Sequence, residues 1–171
     1  LAVHRLDIVI ADSPMPRTID VRGFSHLLGE CGLTLFATAE LAQQHPGPFP
    51  ESLDGAPVLL PGEDVAVRSR LTRWFSDHRI RPRVTGEFDD GALMTAFGQA
   101  GVGIFAAPTA IAEQVMRQHE VVSIGTTEEV VEQFYAISVE RKLTHPAVVA
   151  ISRAARQELF IKRRPGENIS G

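Results

Sequence analysis

Apolar residues fall along this chain in short unbroken runs, alternating with longer stretches in which they recur every third or fourth position. The runs at 6–10 (LDIVI), 33–38 (LTLFAT), 58–60, 84–88, 102–106 and 121–124 read as strands. Helical spacing predicts a helix over 64–78, with Val67, Leu71, Trp74 and Phe75 on its inner face. It predicts another over 90–100 with Leu93, Met94, Phe97 and Ala100 facing inward, and a third over 110–119 capped by Thr109. A longer strand at 130–139 leads to a last helix, with Thr144 at its cap, Pro146 in its first turn, and Val148, Ile151, Ala155 and Leu159 along one face. Strands alternating with helices of this length imply right-handed crossovers and mainly parallel sheets, an α/β chain.

The chain opens at Leu1, without a methionine, and enters almost at once a strand that needs neighbours on both sides. It is therefore read as an N-terminally truncated piece of something longer. Its 171 residues, 44% of them apolar, suffice for one α/β domain or two small lobes. The net charge of -4 argues against a nucleic-acid surface on this segment. No run approaches the ~18 apolar residues of a membrane span, and no signal peptide is visible, so a cytoplasmic location is expected.

Enzymatic signatures are missing. Gly98-Gln-Ala-Gly-Val-Gly103 follows a helix, whereas a dinucleotide fingerprint follows a strand; it reads as a helix end and a tight entry into the next strand. The six histidines share no ligand spacing, and Cys31, between Gly29 and Gly32 in what reads as a short turn, has no identifiable partner base. Six arginines, Arg68, Arg70, Arg73, Arg79, Arg81 and Arg83, cluster around the 64–78 helix and read as a solvated or subunit-facing surface. No catalytic residue can be named, and no enzyme activity is expected.

The carboxylates are more informative. Asp12 follows the first strand, Glu63 and Asp64 follow the 58–60 strand, and Glu87, Asp89 and Asp90 close the 84–88 strand. In open α/β sheets ligands bind at the carboxyl ends of strands. Asp64, Asp89 and Asp90 also stand where carboxylates cap helices. A group of carboxylates suits a hard cation better than an anion, with Asp89 and Asp90 as the leading metal ligands.

Leu6-Asp-Ile-Val-Ile10, Leu33-Thr-Leu-Phe36, Leu53-Asp-Gly55, and Phe97 through Pro108 with its Gly-x-Gly turn resemble the effector-binding domain of LysR-type transcriptional regulators. Phe24-Ser-His-Leu-Leu-Gly-Glu-Cys-Gly32, Trp74-Phe75, Gly86-Glu-Phe-Asp-Asp90, Ala92-Leu-Met94 and Ala96-Phe-Gly-Gln99 are similar to a sodium-responsive subgroup of activators. The resemblance implies two Rossmann-like, periplasmic-binding-protein-like lobes: lobe I from 1–56 and 141–171, lobe II from 57–140. It implies a small effector in the inter-lobe cleft, with Na⁺ the expected one and no other cofactor. It further implies a homodimer or higher homo-oligomer with lobe I of one copy against lobe II of the other. DNA would be contacted only through an N-terminal winged helix-turn-helix outside this sequence. A bilobal solute-binding protein or small-molecule enzyme on the same fold is the alternative, since fold alone does not decide function.

Overall fold

The computed structural model describes residues 8–14, 23–138 and 146–155. The elements are β1 (Ile8–Ala11), β2 (Phe24–Ala37), α1 (Ala39–Gln44), β3 (Pro57–Pro61), α2 (Ala66–Asp77), β4 (Arg83–Phe88), α3 (Gly91–Gln99), β5 (Phe105–Pro108), α4 (Ala112–His119), β6 (Val122–Ser138) and α5 (Pro146–Ala154). No helix among the described residues is long and apolar enough to cross a membrane.

Two compact units divide the chain: Leu1–Glu30 with Gln133–Gly171, and Cys31–Glu132. The chain passes between them within the long strands β2 and β6. Sequence reading places the divisions at 56/57 and 140/141; the difference lies mainly in 31–56. Leu33, Leu35, Ala37, Leu41 and Leu53 are buried in one cluster with Val58, Leu60 and Leu71, so this segment packs with the second unit.

The core of the second unit follows from strand alternation. β3 is buried at every position, as expected of a strand covered on both faces. Val58 and Leu60 point to one side, where Val67, Leu71, Trp74 and Phe75 of α2 meet them together with Leu33 and Leu35. Leu59 points to the other, joining Phe36, Met94, Phe105, Ala112, Val115 and Val121. Helices thus cover both faces of the strands, the arrangement of a Rossmann-like lobe. β3 and β4 are parallel, and Ile104 bridges Val58 in parallel on the other side.

Pairing elsewhere is antiparallel, so the sheets are mixed and not mainly parallel. β2 pairs antiparallel with β5 through Leu33 to Phe36, and β1 pairs antiparallel with Tyr135 to Ser138 of β6. The predicted strands at 121–124 and 130–139 are one continuous strand. The polar Thr126, Glu128 and Glu129 between them look like a turn in sequence, but they are exposed residues within the strand, where Thr127 and Val130 are buried. Gly125 lets the Phe49 ring lie against the strand, and a Cβ there would collide with it.

Two helix predictions change. Thr109 does not cap α4: it opens a 3-10 turn, Thr109–Ile111, and its hydroxyl bonds that of Thr34 at 3.0 Å. Of the predicted inner face of α3 only Met94 is buried, together with Gly98; Leu93 and Phe97 are 51% and 44% exposed, and Ala100 is exposed as well. Gly98 sets this rotation, because a Cβ at that position would run into the Phe105 ring, and only the glycine lets the helix backbone lie on β5. The proposed cap at Thr144 and the last residue of the predicted inner face of the final helix, Leu159, fall outside the described residues.

Candidate functional site

The parallel register of β3 and β4 brings their carboxyl ends together. Leu60 stands opposite Glu87 and Pro61 opposite Phe88, and the Gly62 N–H donates to the Phe88 carbonyl at 2.7 Å. Glu63 and Asp64 therefore continue alongside Asp89 and Asp90, and five of the six candidate carboxylates border the same strand ends. Asp12 belongs to the first unit, where it follows β1 and accepts the Ser13 hydroxyl at 3.2 Å.

The five are not equivalent. Asp90 is the N-cap of α3: its Oδ1 accepts the Leu93 N–H at 2.8 Å, satisfying a donor that the first helical turn leaves free. Glu87 is paired with Arg68, whose Nη2 lies 2.7 Å from Oε1 while its Nη1 donates to the Pro61 carbonyl at 2.6 Å. Arg68 thus stands at the strand ends and neutralises one candidate, although sequence reading places no cation there. Asp89, Glu63 and Asp64 bond no other described residue. Asp64 is not a helix cap, since Val65 occupies that position of α2 without a side-chain bond.

Gly62 completes the arrangement. It is buried, and the Asp89 carboxylate lies directly over its Cα, where any Cβ would collide with the oxygen. Patterning alone does not single out Gly62; its signal in the sequence is a glycine directly after a strand and before two carboxylates. Among the described residues no group of three or more His, Cys, Asp or Glu side chains converges as a metal site. A cation held here would take much of its coordination from backbone carbonyls and water.

Two other polar features lie in the same unit. A groove of about 820 Å³ follows α2 and the start of β4, with Arg68, Arg79 and Arg81 on its rim over Phe75, Ile80 and Val84. The buried Thr34 hydroxyl bonds both Thr109 and Thr126 at 3.0 Å, a cluster that becomes apparent only when β2, the turn after β5 and β6 are brought together.

Cys31 is a strand residue of β2, not part of a turn. Burial raises its pKa above the ordinary thiol value, Glu132 and Glu128 add to the shift, and backbone donors at Ala110 and Thr109 partly oppose it. The thiolate is the nucleophile, so less of it is present at any given pH. At pH 8 maleimide should label Cys31 more slowly than a small free thiol, approaching that rate only at higher pH or on unfolding; labelling as fast as the free thiol at pH 8 would contradict this.

A sheet flanked by helices on both faces, with polar chemistry at parallel strand ends, defines a Rossmann-like ligand-binding lobe. The LysR substrate binding domain family matches residues 1–160, and the chain belongs to that family. Over 160 residues it is 38% identical to the transcriptional activator protein NhaR of Escherichia coli (strain K12). That alignment covers 94% of this chain and 52% of the relative, so the chain spans about half the length of the curated relatives it matches. Among solved structures it resembles the effector domain of AmpR of Pseudomonas aeruginosa, with a TM-score of 0.67 and 19% identity over 92% of this chain and 74% of that one. It also resembles the effector-binding domain of QuiR in complex with shikimate, with a TM-score of 0.59 and 13% identity over 92% and 73% of the two chains. These likenesses bear out the fold.

Proposed function

We propose that this chain is the effector-sensing and oligomerisation domain of a LysR-type transcriptional activator that responds to Na⁺ in the cytoplasm. The observation that carries the reading is the placement of Asp89 over Gly62, beside Glu63 and Asp64, with none of the three carboxylates bonded to a cationic side chain among the described residues. Asp89 is the leading ligand. Asp90 contributes from its capping position, and Glu63, Asp64 and Glu87 of the same unit are further candidates. The similarity to NhaR supports the activator role, and DNA is contacted by a segment beyond this sequence. The protein acts as a homodimer or a higher oligomer. Cation binding shifts the balance between conformations of the assembly, and it can do so only to the extent that affinity differs between them.

Weak affinity is expected for a monovalent ion. With a dissociation constant of ~10 mM, 100 mM Na⁺ would stabilise the fold by roughly 1.4 kcal/mol, a few degrees in melting temperature. The comparison holds ionic strength constant with K⁺ or choline. Asp89→Asn should abolish the Na⁺-specific part of the shift. Equal melting temperatures in all three salts would overturn the reading, as would a Na⁺-specific shift that survives Asp89→Asn.

A further inference from the structure

We infer that the groove between α2 and the start of β4 is a second ligand site, one that takes an organic monocarboxylate with an apolar body. The inference does not rest on the cation reading. The groove's volume of about 820 Å³ matches that of small-molecule pockets, roughly 300–1,000 Å³, which combine apolar walls with a few placed polar groups. Here the walls are Leu60, Phe75, Ile80 and Val84, the last of them 45% exposed. The placed groups are the side chains of Arg79 and Arg81, whose guanidinium groups bond no other described residue, and the equally unbonded Ser76 hydroxyl. Ile80 is buried between the two arginines, so both turn outward to the same rim.

The backbone holds these arginines in place. At the end of α2 the N–H groups of His78, Arg79 and Ile80 donate to the carbonyls of Trp74, Ser76 and Phe75 at 3.1, 3.0 and 2.8 Å, so the turn itself satisfies the helix end. That turn needs a left-handed residue, and Arg79 supplies it with φ of 58°. A glycine would do so without strain, and no arginine side chain is needed to cap the carbonyls. A strained residue that the local fold does not require points to a use for its side chain. Arg81 is held on both sides: its N–H donates to Asp54 Oδ1 at 2.8 Å, and its carbonyl accepts the Gly55 N–H at 3.0 Å. With both backbones fixed, the two guanidinium groups can close on a carboxylate through paired N–H donors.

The charges of the groove select the ligand. Arg68 also lines it, but its guanidinium is committed to Glu87 and the Pro61 carbonyl. Asp54 places a carboxylate on the rim against Arg79 and Arg81. The balance of these three is a single positive charge, which suits a monoanion. A phosphate dianion would be repelled by Asp54 and would leave the apolar walls uncovered, whereas an apolar body covers Phe75, Ile80 and Val84 and removes them from water.

The test is a calorimetric titration of the chain with hydrocinnamate at constant ionic strength. Binding should saturate at a single equivalent. It should be about tenfold or more tighter than that of hydrocinnamyl alcohol, which lacks the charge, of acetate, which lacks the apolar body, and of inorganic phosphate. Arg79→Gly relieves the strained turn, so it should raise the melting temperature while weakening hydrocinnamate by about tenfold or more. Arg81→Gln keeps the backbone bond to Asp54 and should weaken binding to a similar degree with little change in melting temperature. No saturable binding, equal binding of the alcohol or of phosphate, unchanged affinity in either arginine variant, or a lower melting temperature in Arg79→Gly would each overturn the site.

Discussion

Phe105→Ala is expected to lower the stability of the second unit by about 3–5 kcal/mol, the range for truncating a fully buried aromatic. Phe105 is 0% exposed, its ring centroid lies 5.6 Å from that of Phe36, and Leu59, Met94 and Val115 share its cluster. Truncation removes apolar burial and the ring contact, and it leaves a cavity among neighbours from four other elements that cannot all collapse inward. Domains are stable by only about 5–15 kcal/mol, so the loss is a large share of the total. Trp74 is the only tryptophan, is 4% exposed and sits in the same unit, so its fluorescence follows the relevant unfolding. With a urea slope of about 2 kcal/mol/M, the midpoint should fall by roughly 2 M. A fall of less than about 0.5 M would mean that the two clusters on either face of β3 are less tightly packed than their burial indicates.

Gly98→Val should cost about 2–3 kcal/mol, although replacing a mid-helix glycine by a residue of better helix propensity gains up to ~1 kcal/mol where space is free. Space is not free at Gly98, where the first added carbon meets the Phe105 ring and that ring is enclosed on every side. Gly91→Ala is the internal control. Nothing lies within 4 Å of a Cβ at Gly91, so this change should be neutral or mildly stabilising. Combining Gly98→Val with Phe105→Ala sharpens the test, because valine then enters the space left by the ring. The double variant should be less destabilised than the sum of the single ones, by about 1–3 kcal/mol. Strict additivity would show that Gly98 is not held against Phe105.

The same pair of residues shows where sequence patterning stops. In α2 the period of Val67, Leu71, Trp74 and Phe75 identified the buried face correctly, since the charged residues on the opposite side leave only one way to orient the helix. In α3 the same reasoning failed. Nearly every position is apolar, the period carries little directional information, and the orientation is set by one glycine that permits a close approach. β6 escapes a reading as one strand for a related reason: the polar stretch 126–129, buried only at Thr127, looks in sequence like a break.

The candidate site divides along similar lines. That Glu63, Asp64, Glu87, Asp89 and Asp90 stand at strand ends was legible, because strands and helices alternate plainly between 57 and 100 and the polar residues fall at the junctions. That Arg68 neutralises Glu87, that Asp90 is taken up as a cap, and that Asp89 rests over Gly62 was not, since each depends on the register between β3 and β4 and on the placement of α2 beside them.

By itself the sequence determined the α/β class, the family resemblance and the chemical character of the strand ends, because these depend on local periodicity and on which residue types follow one another. The tertiary structure decided the mixed pairing of the strands, the assignment of 31–56 to the second unit, the face on which α3 lies and which carboxylates are engaged by Arg68 or by a helix start. Those outcomes rest on contacts between residues far apart in the chain, where one close approach or one ion pair outweighs a local preference worth a few tenths of a kcal/mol.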